Sequence, residues 1–217
     1  MILRRRTICS ILSALVITGC SLLPASAPER VVRVKALVDQ PFRTRNPSWD
    51  REARGLIEAA SDYYEEEFGI RLITQAVSVW PEDERVPSTP TLLARLQKQF
   101  PFASADGSYD IVISFTAENV SRILTAGRPR VDRIGNCSQG LARYIVLPTR
   151  KLFRYSGQSA DLDPDVITLV HEIGHIFGAE HVEDINSIMN ENFDYRSQFD
   201  AKNRTIIQAN RACPFAK

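Results

Sequence analysis

Eleven consecutive residues carry the pattern H-E-x-x-H-x-x-G-x-x-H: His171, Glu172, Ile173, Gly174, His175, Ile176, Phe177, Gly178, Ala179, Glu180 and His181. His171 and His175 are four apart, so a helix places both imidazoles on one face, one turn apart, where they can grip one metal ion. Glu172 follows the first histidine and projects beside the metal, where a general base for a water molecule belongs. Gly178 can take a positive φ and end the helix, which lets the chain turn and bring back His181 as a third ligand. Three protein nitrogens leave a fourth tetrahedral position open, the mark of a catalytic zinc. The chain has only three histidines, and all of them lie in this pattern. Histidines of an ordinary core or surface have no reason to gather at ligand spacing.

The segment 169–189 resembles the zinc signature of the metzincin metallopeptidases, with Met189 in the place of their Met-turn methionine. The eight-residue step from His181 to Met189, with Ser187 and Ile188 before the methionine, is most similar to the matrixin branch. The resemblance implies a zinc endopeptidase in which His171, His175 and His181 hold one zinc ion, Glu172 is the general base, and Met189 floors the site. It implies a peptide or protein as substrate. Departures are present: Asn190 and Glu191 stand where matrixins usually carry Tyr-Pro, no histidines remain for a second zinc, and Tyr195 lies far along for a tyrosine ligand of the astacin type. Asp106, Asp110, Asp161 and Asp163 are acidic loop or cap residues of the kind that is usually solvated. The alternative function is an envelope-binding lipoprotein that retains a zinc-bound metzincin body without catalysis. A purely structural zinc needs no carboxylate at position 172 and recruits a fourth protein ligand; Glu172 is present, and no fourth ligand is evident.

The elements that must position these residues read as α+β. Residues 31–38 form a β-rich first strand, followed by a loop over 41–47. A helix runs from Ser48, its expected cap, to Phe68, with Gly69 ending it. A strand over 70–80, a proline-rich loop over 81–90 and a short helix over 91–100 follow. Strands are expected at 109–115 and 141–147, with an edge strand near Val131 to Gly140 that could accept an extended peptide. Residues 161–177 form the active-site helix, with Asp163 as cap and Pro164 at its first position. A last helix spans 200–211. This order is similar to that of the metzincins, whose mixed, twisted sheet lies behind the zinc helix, followed by the Met-turn and a C-terminal helix.

The start of the chain reads as a targeting segment over 1–19. Arg4 to Arg6 precede a short apolar run, Ile8 to Ile17, too short for a permanent membrane span. Ile17-Thr18-Gly19-Cys20 resembles a bacterial lipobox with Cys20 as the lipidated residue. A secretory peptide cut near Ala25 or Ala27 is the alternative. Ser21 after the cysteine favours the outer membrane, by analogy with Gram-negative lipoproteins, and 20–29 is a short tether. Removing 1–19 takes away three arginines and moves the formal charge from +1 to −2. No basic patch with interleaved aromatics is present, so nucleic acid is not an expected partner. Residues 30–217 suit one catalytic domain, expected as a monomer. Of the four cysteines, Cys137 and Cys213 remain as a pair, and a disulfide fits an oxidising compartment. The alternative makes Cys137 a thiolate that plugs the zinc, as in latent matrixins, but the proregion motif for that is absent.

Overall fold

A four-stranded sheet forms the frame, in the order β2-β1-β3-β4, with every neighbouring pair parallel. Its strands are β1 (Arg30–Val38), β2 (Ile70–Val79), β3 (Ile111–Thr116) and β4 (Tyr144–Pro148). The computed structural model describes residues 28–45, 47–81, 89–102, 107–117, 130–149, 163–191 and 198–217. The targeting segment, Cys20, Tyr195, Asp106 and Asp161 lie outside these.

Alternation along the strands decides which helix covers which face. Val32, Val34, Ala36 and Val38 of β1 face one core, together with Ile111, Ile113 and Phe115 of β3 and Ile145 and Leu147 of β4. Leu37, Val112, Tyr144 and Val146 face the opposite side, against Trp80, Leu92 and Leu96. Thus the helix α3 (Thr89–Gln99) covers one face. The other is covered by α2 (Trp49–Phe68) and α4 (Pro164–Ile176), through Leu56, Ile57, Ala60, Tyr64, Leu169, Val170 and Ile173. β3 is buried at all six positions because it has strands on both sides and helices on both faces. Asp110, just before it, is not merely solvated: Arg33 of β1 meets its carboxylate with Nε at 3.0 Å and Nη2 at 2.8 Å.

Two local expectations are corrected. Residues 41–47 read as loop in the sequence, yet α1 (Gln40–Arg45) is a helix. Proline in a first turn sacrifices only an N–H that has no helical partner, and Asp39 caps the turn by accepting from Phe42 N–H at 2.8 Å. Ser48 makes no side-chain capping bond to α2. The other end of α2 follows its glycine: Gly69 has φ 67°, and its N–H bonds back to Glu65 and Tyr64 carbonyls.

Among the described residues, the mixed character of the sheet comes from an antiparallel bridge on the outer edge of β4, between Val131 and Ile145. Segment 130–132 follows that edge, with Val146 N–H donating to Arg130 O and Asp132 N–H to Tyr144 O. It then leaves it, and Gly135 N–H bonds to His175 O at 2.9 Å. The last residues are woven into the same region by a parallel bridge between Leu141 and Phe215 and by a disulfide between Cys137 and Cys213. Cys137 is therefore no free thiolate.

Candidate metal centre

The helix α4 carries the first two histidines. Asp163 accepts from Asp165 N–H at 2.9 Å and Pro164 opens the first turn. From Asp165 to Ile176 every residue is buried, so the helix has no solvated face and is held on all sides. Tyr64 of α2 fixes its middle by donating its hydroxyl to Val170 O at 2.8 Å. The helix ends at Ile176, and Gly178 takes φ +95°. A β-carbon there would stand 2.5 Å from Gly135 O and 2.6 Å from Asn210 Nδ2, so only glycine lets the chain turn back toward the helix. The turn brings His181 to His171 and His175.

The three Nε2 atoms form a nearly equilateral triangle, with sides of 3.1, 3.2 and 3.2 Å. Two nitrogens that bind one ion tetrahedrally at zinc–nitrogen distances are about 3.3–3.4 Å apart, so the triangle fits a zinc ion. The tautomers agree. His171 Nδ1 lies 2.7 Å from Ile188 O, and His175 Nδ1 lies 2.7 Å from Ala179 O. A carbonyl accepts only from an N–H, so both protons sit on Nδ1 and both Nε2 lone pairs face inward. Inward lone pairs this close repel one another unless a cation lies between them. Burial also pulls these imidazoles toward the neutral form: His171 lies well below its ordinary pKa, His175 near 4, and His181 is lowered as well.

Glu172 is 2 % exposed. Burial pushes its carboxyl up to about 7, against the opposing pull of Arg130. Arg130 N–H donates to Oε2 at 2.9 Å, and its guanidinium Nη1 is 3.7 Å from Oε1. A carboxyl balanced near neutral pH can both take and release a proton.

Met189 is fully buried beneath α4, where a β-carbon on Gly174 would come within 2.9 Å of its Sδ. Its turn is tied down by Asn190 N–H to Ser187 O at 3.1 Å and by Met189 N–H to Ser187 Oγ at 3.0 Å. The preceding carbonyl, of Ile188, is the one that holds His171. The structure thus brings His171, His175, His181 and Met189 together, sets Glu172 next to His171 on the helix, and places the Cys137–Cys213 disulfide at the turn between Asn136 and Gly140.

A family model described as metallo-peptidase family M12 matches residues 28–216. The chain belongs to that family. Among solved structures, archaemetzincin from Methanopyrus kandleri resembles the M12 chain in fold, at 21% identity and a TM-score of 0.51, over 82% of this chain and 95% of that one. No curated protein matches it. The metzincin resemblance therefore holds for the fold, the family is metallo-peptidase M12, and the narrower likeness to matrixins rests on the His181–Met189 step with Ser187 and Ile188 before the methionine. Membership of a metallopeptidase family and the three-histidine group together fit a zinc site.

Sequence reasoning missed the residues that hold this M12 site in shape. Arg130 gave no signal, because its contact with Glu172 depends on the path of the β4 edge. Ser187, Asp200 and Asn203 were legible only in part. Asp200 opens the last helix, α5 (Ala201–Asn210), and caps it by accepting from Asn203 N–H at 3.0 Å. The pattern D-x-x-N predicts such a cap, but not that the cap also reaches the metal loop.

Proposed function

We propose that this M12 metallopeptidase is a zinc-dependent endopeptidase with Glu172 as its general base, tethered to a bacterial envelope through Cys20. The convergence of three Nε2 atoms, on a site whose helix also carries the buried Glu172 carboxyl with its raised pKa, carries this reading. His171, His175 and His181 would hold zinc, which when bound supplies Lewis-acid chemistry: it polarises a carbonyl and acidifies water. Glu172 accepts the proton of the attacking water on one carboxylate oxygen and delivers it to the leaving amine. Arg130 N–H holds Oε2 at 2.9 Å, and Oε1, with the Arg130 guanidinium 3.7 Å away, is the oxygen for this transfer.

An extended peptide is the favoured substrate. In an antiparallel pair the residue between two bonded neighbours turns its N–H and C=O outward. Val131 is such a residue, flanked by the bonds of Arg130 and Asp132 to β4. A peptide strand would add through these main-chain groups, the Val131 residue itself being buried at 5 % exposure. The eight-residue step to Met189 supports a matrixin-like loop under the site. The lipid anchor rests on Ile17 to Cys20 and implies the periplasmic face of the outer membrane or the cell surface. Among the described residues no helix is long and apolar enough to cross a membrane.

Cleavage of a mixed peptide library, read by mass spectrometry, tests the chemistry. Zinc-dependent cuts should fall about 10²–10⁴-fold in Glu172→Ala. A zinc-loaded chain that cuts nothing would instead favour the envelope-binding lipoprotein. For the tether, Cys20→Ser should release the chain from the membrane fraction.

A further inference from the structure

The two helical ligands are held by a buried helix, but His181 is half-buried and belongs to no regular element. Its place depends on the peptide just before it. Asn203 of α5, fully buried, bonds both sides of residue Glu180: its Oδ1 accepts from Glu180 N–H at 2.9 Å, and its Nδ2 donates to Glu180 O at 3.0 Å. The Glu180 side chain itself is exposed and pairs with Lys202 at the surface. A fully buried amide that spends both ends on the main chain of one residue clamps that peptide, and the residue that follows it is His181.

The same amide is wired to the Met-turn. Asn203 Nδ2 also donates to Asp200 Oδ2 at 2.8 Å, and that oxygen accepts from Ser187 Oγ at 2.7 Å. Ser187 Oγ in turn accepts from Met189 N–H. One continuous set of hydrogen bonds therefore runs from the loop of His181, through the start of α5, to the turn whose Ile188 carbonyl orients His171.

We infer that Asn203 is a positioning residue for the metal site, setting His181 through the Glu180 peptide. The inference rests on reading the three histidines as the metal ligands. It does not depend on the peptidase reading.

The test compares zinc affinity, by competition with a chromophoric chelator, and melting of the zinc-free chain. The variants are Asn203→Ala, the near-isosteric Asn203→Asp, and Ser61→Ala. Ser61 of α2 is a matched control bonded to β2 and not to the histidine loop: it is fully buried, and its hydroxyl accepts from Leu72 N–H at 2.9 Å and donates to Leu72 O at 3.2 Å. Removal of a partner outside the ligand set costs about 10–100-fold in metal affinity. That loss is expected for Asn203→Ala, and a smaller loss for Asn203→Asp, which keeps the acceptor and loses the donor. Ser61→Ala should lower the melting temperature of the zinc-free chain and leave zinc affinity within about twofold of wild type. Wild-type zinc affinity in both Asn203 variants would overturn the inference. So would an equal affinity loss in Ser61→Ala, or failure of both Asn203 variants to fold without zinc, which would make Asn203 a folding residue. A wild-type chain that binds zinc and cuts no peptide would sink the peptidase reading and leave the Asn203 comparison intact.

Discussion

Replacing Gly178 by alanine should cost far more than the backbone conformation alone. A left-handed alanine costs about 1–2 kcal/mol, and Gly69→Ala measures that cost in isolation. Gly69 has φ +67°, and the nearest atoms to an added β-carbon are 3.5 Å away, an ordinary contact. At Gly178, with φ +95°, the added carbon meets Gly135 O at 2.5 Å and Asn210 Nδ2 at 2.6 Å. Asn210 Nδ2 donates to Phe177 O at 2.9 Å, and Gly135 N–H donates to His175 O at 2.9 Å. Relieving the clash loses or lengthens these two bonds, at about 1 kcal/mol each. The expected cost is therefore about 3–4 kcal/mol, against about 1–2 kcal/mol for Gly69→Ala. For a domain of this size that lowers the melting temperature by roughly 6–16 °C. Urea and thermal unfolding of the zinc-free variants give both numbers. If Gly178→Ala proves no more costly than Gly69→Ala, the close approach of the 131–142 segment to the helix end is not what fixes this glycine.

Three further outcomes are expected. Breaking the Cys137–Cys213 bond, which closes a sequence separation of 76, should destabilise by about 4–5 kcal/mol in the chain-entropy picture; denaturant midpoints with and without reductant measure it. Tyr64→Phe removes a buried hydroxyl from Val170 O and should cost about 1–3 kcal/mol, seen as a shift in midpoint with unchanged slope. Desolvation raises the Asp110 carboxyl, but the side-chain and main-chain bonds and the charge of Arg33 outweigh it and hold it below its ordinary 3.8. Its stabilisation is thus fully present above about pH 4 and lost as pH falls through the lower folded value. Asp110→Asn should be less stable than wild type at pH 7, with the gap narrowing toward pH 2; a constant gap would contradict this linkage.

The candidate metal ligands were legible because ligand chemistry fixes spacing. His171, His175, Gly178 and His181 lie in one short stretch, and both the helix period and the turn can be read locally. The strands were legible for the same reason, since an apolar run bounded by turn residues depends on its own composition. What was hidden depends on who meets whom. Arg130 touches Glu172 only because the chain follows the β4 edge before crossing to the end of α4. Asn203 reads as one polar position of an ordinary helix until the fold sets it against Glu180. The α1 helix differs from the loop expected over 41–47 because Asp39 supplies a cap, which makes a first-turn proline harmless.

The parallel order β2-β1-β3-β4 also bears on how fast the chain folds. No parallel pair can close through a hairpin. Val34 must find Ile111, and Arg30 must find Ile70, so loop-closure entropy is spent before the sheet returns any stability. Such topology places folding in the millisecond-to-second range. The α2–Gly69–β2 unit is local and can form early. The α4 helix, buried all round, has nowhere to dock until β1, β3 and β4 lie side by side. Its histidines then meet near the end of folding, so zinc acts mainly after the barrier. Added zinc should leave the refolding limb of a chevron nearly unchanged and slow the unfolding limb.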